Sequence, residues 1–206
     1  MYGSAATVDS IDCTKGKIRA VVNRSLVPED PRHAENTVEW LLKLDPDADE
    51  ALQIAALGHD IDRAIEARKV QRADFADYDA FKAAHARNSA IILKEIMDTC
   101  GLAPGMQEEV YRLVCNHEVG GDPRTDLLKD ADAISYFDVN LPLYYERNGW
   151  EETLRRCEWG YRRLSARMRP VAANMSYEQP ELNALLERAV GEASASALNA
   201  GVLKRD

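Results

Sequence analysis

A chain of 206 residues, 46% of them hydrophobic, is long enough to bury one sizeable core and sits within the size range of a single domain. Its formal charge of -9 and pI near 5.0 argue against a long nucleic acid as partner, because phosphate contacts need clustered Lys and Arg. A small anionic substrate remains open wherever a metal ion or a local basic pocket offsets the global field.

Spacings of three and four between apolar residues recur, while strict alternation is almost absent, so the chain reads as all-α. Residues 1–8 lack a basic leader, and no apolar run reaches membrane-spanning length, which predicts a cytoplasmic chain without membrane contact. The first expected helix covers residues 11–26, with Ile18, Val21 and Val22 inward. Pro28-Glu29-Asp30-Pro31 breaks the chain, and Asp30 with Pro31 suits the N-cap and first turn of a helix over 32–44 that carries His33. After the Asp45-Pro46-Asp47 turn, an Ala- and Leu-rich helix is predicted over 48–65, with His59-Asp60 toward its C-terminal part. Residues 68–77 are polar and aperiodic, the longest candidate loop and a place for a lid. A helix over 77–100 bears His85 and stops at Gly101. Another, over 104–118, brings His117 to its end just before the Gly120-Gly121-Asp122-Pro123 break, and a third over 124–140 carries Asp130 and Asp132.

Beyond Pro142 the chain turns aromatic and basic, with Tyr144, Tyr145, Trp150, Trp159 and Tyr161 among the arginines of residues 155–169. Those arginines fall on several helix faces, so most are expected to be solvated or paired with Glu151, Glu152 and Glu158, leaving room for a homo-oligomer contact. An Ala-rich helix over 181–202 closes the chain. The cysteines, Cys13, Cys100, Cys115 and Cys157, show no C-x-x-C pairing and read as reduced thiols.

The chain has only four histidines, and they lie in four separate helical segments together with a late acidic pair. Neighbouring helical residues point about 100° apart, so His59 and Asp60 converge only on something seated between them, as two ligands of one metal do. Four imidazoles and two carboxylates in a helical core suit a pair of divalent ions, with iron or manganese favoured and zinc, nickel, cobalt or magnesium admitted.

The order His33, His59-Asp60, His85, His117, Asp132 resembles the HD-domain superfamily of metal-dependent phosphohydrolases, in the branch with two extra histidines before the final Asp. The likeness covers residues 30–136, with 140–206 as a helical extension. It implies an HD-type helical bundle in which His33, His59, Asp60 and Asp132 hold one ion and Asp60, His85 and His117 the other. Asp132 is chosen over Asp130 because Leu127-Leu128-Lys129-Asp130-Ala131-Asp132 is similar to the family's apolar stretch ending in Ala-Asp, and the two acids lie about 200° apart on a helix.

The implied activity is cleavage of a small phosphoester, a nucleotide favoured, by a metal-activated hydroxide with Asp60 taking its proton. Arg63 stands one turn beyond Asp60, where a guanidinium can fork a phosphate, and Asp62 replaces the glycine of His-Asp-Ile-Gly relatives, as a proton acceptor or tuner of a ligand. Lys82, Arg87 and Arg124 are further phosphate candidates. Glu118 makes a His-Glu pair similar to that of the cyclic-di-GMP phosphodiesterases, without their Gly-Tyr-Pro signature. Two other readings share the scaffold: a di-iron oxygenase of the myo-inositol oxygenase kind, acting on a polyol or phosphonate, and a non-catalytic binding module.

Overall fold

A computed structural model describes the backbone of residues 8–202 and the side chains of residues 8–195. The fold is all-α, with no strand among the described residues. None of the described helices is long and apolar enough to cross a membrane. The helices fall into two compact units, Met1–Asp132 and Ala133–Asp206.

In the first unit, α1 (Val8–Val22), α2 (Asp30–Leu44), α3 (Glu50–Gly58), α4 (Tyr78–Thr99) and α5 (Pro104–Asn116) precede α6 (Pro123–Ser135), which runs to the unit's end. The short α3 is packed by α1, α2 and α5, because it is apolar nearly all round, from Ala51 through Leu57. Its alanines let neighbours approach, and its Ile54 shares one core with the fully buried Ile18, Leu41, Leu93, Met97, Leu113 and Leu128. Each such side chain contributes about 1.5–3 kcal/mol by leaving water.

Several expectations are corrected. The first helix ends at Val22 rather than residue 26, and Leu26 is exposed. Asp30 is not the N-cap of α2: Glu29 occupies that position, and the Asp30 carboxylate accepts from Ser25 Oγ at 2.6 Å and pairs with Arg63 at 2.9 Å. A carboxylate that is almost wholly buried needs a cation more than it needs a backbone N–H.

The helix predicted over 48–65 is broken. α3 stops at Gly58, His59 is its C-cap, Asp60 takes non-helical angles (φ -107°, ψ 16°), and a 3₁₀ turn follows over Ile61–Ala64. Gly58 marks a close approach of α3 to α4, since a Cβ there would lie 2.5 Å from Leu93 Cδ2. The polar stretch after it is tied down: Arg68 pairs with Glu95, Asn88 Nδ2 donates to the Arg68 carbonyl at 2.7 Å, and a single 3₁₀ turn spans Arg72–Asp74. Finally, Cys13 and Cys100 form a disulfide between α1 and the end of α4, which corrects the reading of four reduced thiols; their Cα atoms stand 5.7 Å apart, inside the bridging range, and 87 residues of separation hide the pairing in the sequence. Cys115 and Cys157 are free.

The second unit takes up the end of α6, a π-helical turn at Tyr136–Asn140, α7 (Leu141–Arg163), α8 (Arg169–Ala173) and α9 (Pro180–Val202), which packs along α7. Ile134, Phe137, Leu141, Leu154, Leu182 and Leu185 are buried within it. Its aromatic and basic side chains satisfy one another: Arg156 lies over Tyr136 and Trp159, Arg163 over Trp159, and Arg155 and Arg162 pair with Glu152 and Glu158.

Candidate metal centre

Two of the four imidazoles are placed by the same local device. His59 and His117 are the C-caps of α3 and α5, where the last carbonyls lack intrahelical donors. Each ring turns back and donates Nδ1–H to the carbonyl three residues earlier, Ala56 at 2.8 Å and Val114 at 2.7 Å. With Nδ1 so engaged, Nε2 is the atom offered to the interior. His85, in the middle of α4, is held instead by Asp62, whose Oδ1 lies 2.6 Å from Nδ1, while Phe81 stacks on the ring from one turn earlier. Asp62 is fully buried and also accepts, at 3.4 Å each, from Val70 N–H and Asn88 Nδ2. His33 enters from the first turn of α2 and Asp132 from α6.

The inward atoms form two adjoining groups, His33 with His59 and Asp132, and Asp60 with His85, His117 and Glu118. In the first, His33 Nε2 and His59 Nε2 stand 3.2 Å apart, and Asp132 Oδ1 lies 3.3 and 3.4 Å from them. Two ligands about 2.1 Å from one cation, at octahedral to tetrahedral angles, are about 3.0–3.4 Å apart, so these donors already have the spacing of a coordination face. In the second, Asp60 Oδ1 is 2.7 Å from His85 Nε2 and 3.9 Å from His117 Nε2, and His117 Nε2 is 3.3 Å from Glu118 Oε1. Asp60 also reaches the first group, its oxygens 3.8 Å from His59 Nε2 and 4.0 Å from His33 Nε2. The donor set is nitrogen and carboxylate oxygen, buried except for the partly exposed Asp60 and without thiolate, and it fits divalent metal.

The electrostatics describe the same place without a cation. Burial pulls the His59 imidazole down, but Asp60 and Asp132 outweigh it and raise the group to about 9. At His85 burial again opposes protonation, and Asp60 with Asp62 lifts it to about 9. Burial pushes Asp60 up, yet His59, His85 and Arg63 hold it well below the usual carboxylate range. Protons thus stand where cations would. Val22, Ala34, Leu57, Ile61 and Ala64 wall a cavity beside His33, His59 and Asp60.

All six residues expected to bind metal are brought together. Asp62 is in the site as the partner of His85, and Arg63 is clamped between Asp60 Oδ2 (2.8 Å) and Asp30 Oδ1 (2.9 Å), so both terminal nitrogens of its fork are engaged by carboxylates. Asp130 is buried but belongs to neither group. Arg124 pairs with Asp49 and Glu109, and Arg87 lies with Tyr111 and Cys115. Burial raises the Cys115 thiol, which stays outside both groups. Asp30 was expected only as a helix cap, and Glu118, noted in the sequence for its pair with His117, was not counted among the expected ligands. Glu118 pairs with Lys82, a turn before His85 on α4.

Fold and site together define an all-α chain carrying paired His and carboxylate groups that can hold metal. It belongs to the family described as a domain of unknown function (DUF4202), whose model matches residues 6–186. No curated protein and no solved structure matches the chain.

Proposed function

We propose that the chain is an HD-superfamily metal-dependent phosphohydrolase that cleaves a small phosphoester, a nucleotide favoured, with two divalent ions of iron or manganese. The observation that carries this reading is Asp60, one carboxylate within 4.0 Å of imidazole nitrogens in both donor groups. His33, His59 and Asp132 would hold one ion, His85 and His117 the other, and Asp60 both. Such ions supply Lewis acidity, which acidifies water and offsets charge on a phosphate.

The chain's own residues keep that site in order. Asp60, depressed by its cationic neighbours, is an anion at neutral pH, better suited to sharing between cations than to accepting a proton. Asp62 holds His85 through Nδ1, which makes it a positioning residue, and Arg63 fixes Asp60 from the Asp30 side. The Ala56 and Val114 carbonyls orient His59 and His117.

The test is metal analysis of protein purified without added metal, with assays of phosphate release from nucleoside monophosphates and other small phosphoesters. Asp60→Ala is expected to stay helical by circular dichroism and to lose at least about 100-fold in phosphate release. His33, His59 and Asp132 also match the two-His, one-carboxylate face of iron oxygenases. Bound iron with oxygen uptake on a polyol or phosphonate would replace the hydrolase by that reading. Ligand binding indifferent to chelators would leave a non-catalytic module.

A further inference from the structure

The two donor groups are unequal if only the six expected residues are counted. The first has two imidazoles and a carboxylate of its own, Asp132, besides the shared Asp60; the second has two imidazoles and only the shared Asp60. Glu118 removes that inequality. Its side chain is 5% exposed, its Oε1 lies 3.3 Å from His117 Nε2, and its ligand atom falls within 4.8 Å of those of Asp60, His85 and His117. The backbone holds it there: Gly120, at φ +75°, turns the chain immediately afterwards, and a Cβ at that glycine would meet Asp126 Oδ1 at 2.1 Å. Glu118 also pairs with the ammonium of Lys82, on the α4 segment that carries His85.

We propose that Glu118 is a further protein ligand of the second ion, and that Lys82 competes with that ion for the same carboxylate. This rests on the two-ion reading of the site. With Glu118, each ion has two imidazoles, one carboxylate of its own and a share of Asp60, so both sites present similar donors and similar charge. Lys82 then opposes the second ion alone, because its positive charge occupies the oxygen the ion needs.

Opposite effects from two variants distinguish a ligand from a structural ion pair. Mn²⁺ binding to the metal-free 206-residue chain is measured by calorimetry, with bound ion counted by electron paramagnetic resonance. Wild type is expected to bind two Mn²⁺. Glu118→Gln should weaken one of them at least about 10-fold, and Asp132→Asn should weaken the other. Glu118→Asp, which keeps the charge beside Lys82, should fall between wild type and Glu118→Gln. Lys82→Met should tighten the Glu118-dependent ion several-fold. Unchanged binding of both ions in Glu118→Gln overturns the proposal and leaves the two-ion reading standing. Equal weakening by Lys82→Met and Glu118→Gln also overturns it, since the pair would then serve only to hold the fold. Wild type that binds fewer than two Mn²⁺ removes the two-ion reading and this proposal with it. Thermal melts of each metal-free variant separate lost affinity from lost folding.

Discussion

At the scale of single residues, the candidate site would set protons against any metal that binds there. His59 and His85 are raised to about 9 by Asp60 and its acidic neighbours, against the pull of burial. A group raised on folding contributes stability that is fully present below its unfolded value, about 6.5 for histidine, and lost as pH rises through the folded value. Metal-free protein should therefore lose stability between about pH 6.5 and 9, read from melts in chelator. Metal affinity should move the other way, rising through the same window as the two imidazoles give up their protons, with proton release visible in weakly buffered titrations. Asp62→Asn keeps the size of the side chain but replaces its anion, leaving His85 Nδ1 with a neutral amide partner, and is expected to cost 10- to 100-fold in metal affinity with little change in helix content. The six candidate ligands could be read from the sequence because side-chain type and helical spacing survive translation into space. The Asp30–Arg63 pair could not, since a buried carboxylate chooses its cation by tertiary proximity across 33 positions.

At the scale of elements, sequence periodicity located every helix that carries a candidate ligand but ran the one before His59 well past its end. Apolar residues continue past His59 through Ile61 and Ile65, so the pattern asks for more helix than α3 contains. The chain instead leaves the α conformation at Asp60, after the close approach of α3 to α4 at Gly58. That break frees His59 to bond its own helix terminus and sets Asp60 and Asp62 in the tighter turn that serves His85. Gly58→Ala tests the dependence. Its methyl would be driven into Leu93, which is fully buried and has little room to yield, at an expected cost of about 1–3 kcal/mol by chemical denaturation. If the break positions the doublet, the same variant weakens metal binding even under conditions where it is fully folded. Unchanged affinity would mean that the turn holds without this packing.

At the scale of the whole molecule, the candidate ligands span residues 33 to 132, on α2, the end of α3, α4, the end of α5 and the part of α6 that lies in the first unit. A bound pair of ions would therefore tie together five elements already joined by packing and by pairs such as Asp30–Arg63 and Asp62–His85, while the Cys13–Cys100 bridge fastens α1 to the end of α4. The two constraints act differently. The disulfide limits the unfolded chain and contributes about 2–4 kcal/mol whatever the pH or metal supply. Metal acts on the folded state alone, adding about 2.7 kcal/mol when free ion stands at 100 times its dissociation constant. For a chain of this length, that corresponds to a rise in melting temperature of roughly 5–11 °C. Cys13→Ser should lower the melting temperature by a similar amount with or without chelator, whereas chelation should lower it in both proteins. If the bridge matters chiefly by holding α1 against the elements of the site, the two losses will not add: Cys13→Ser will have lost metal affinity as well, and chelation will cost it less than it costs wild type.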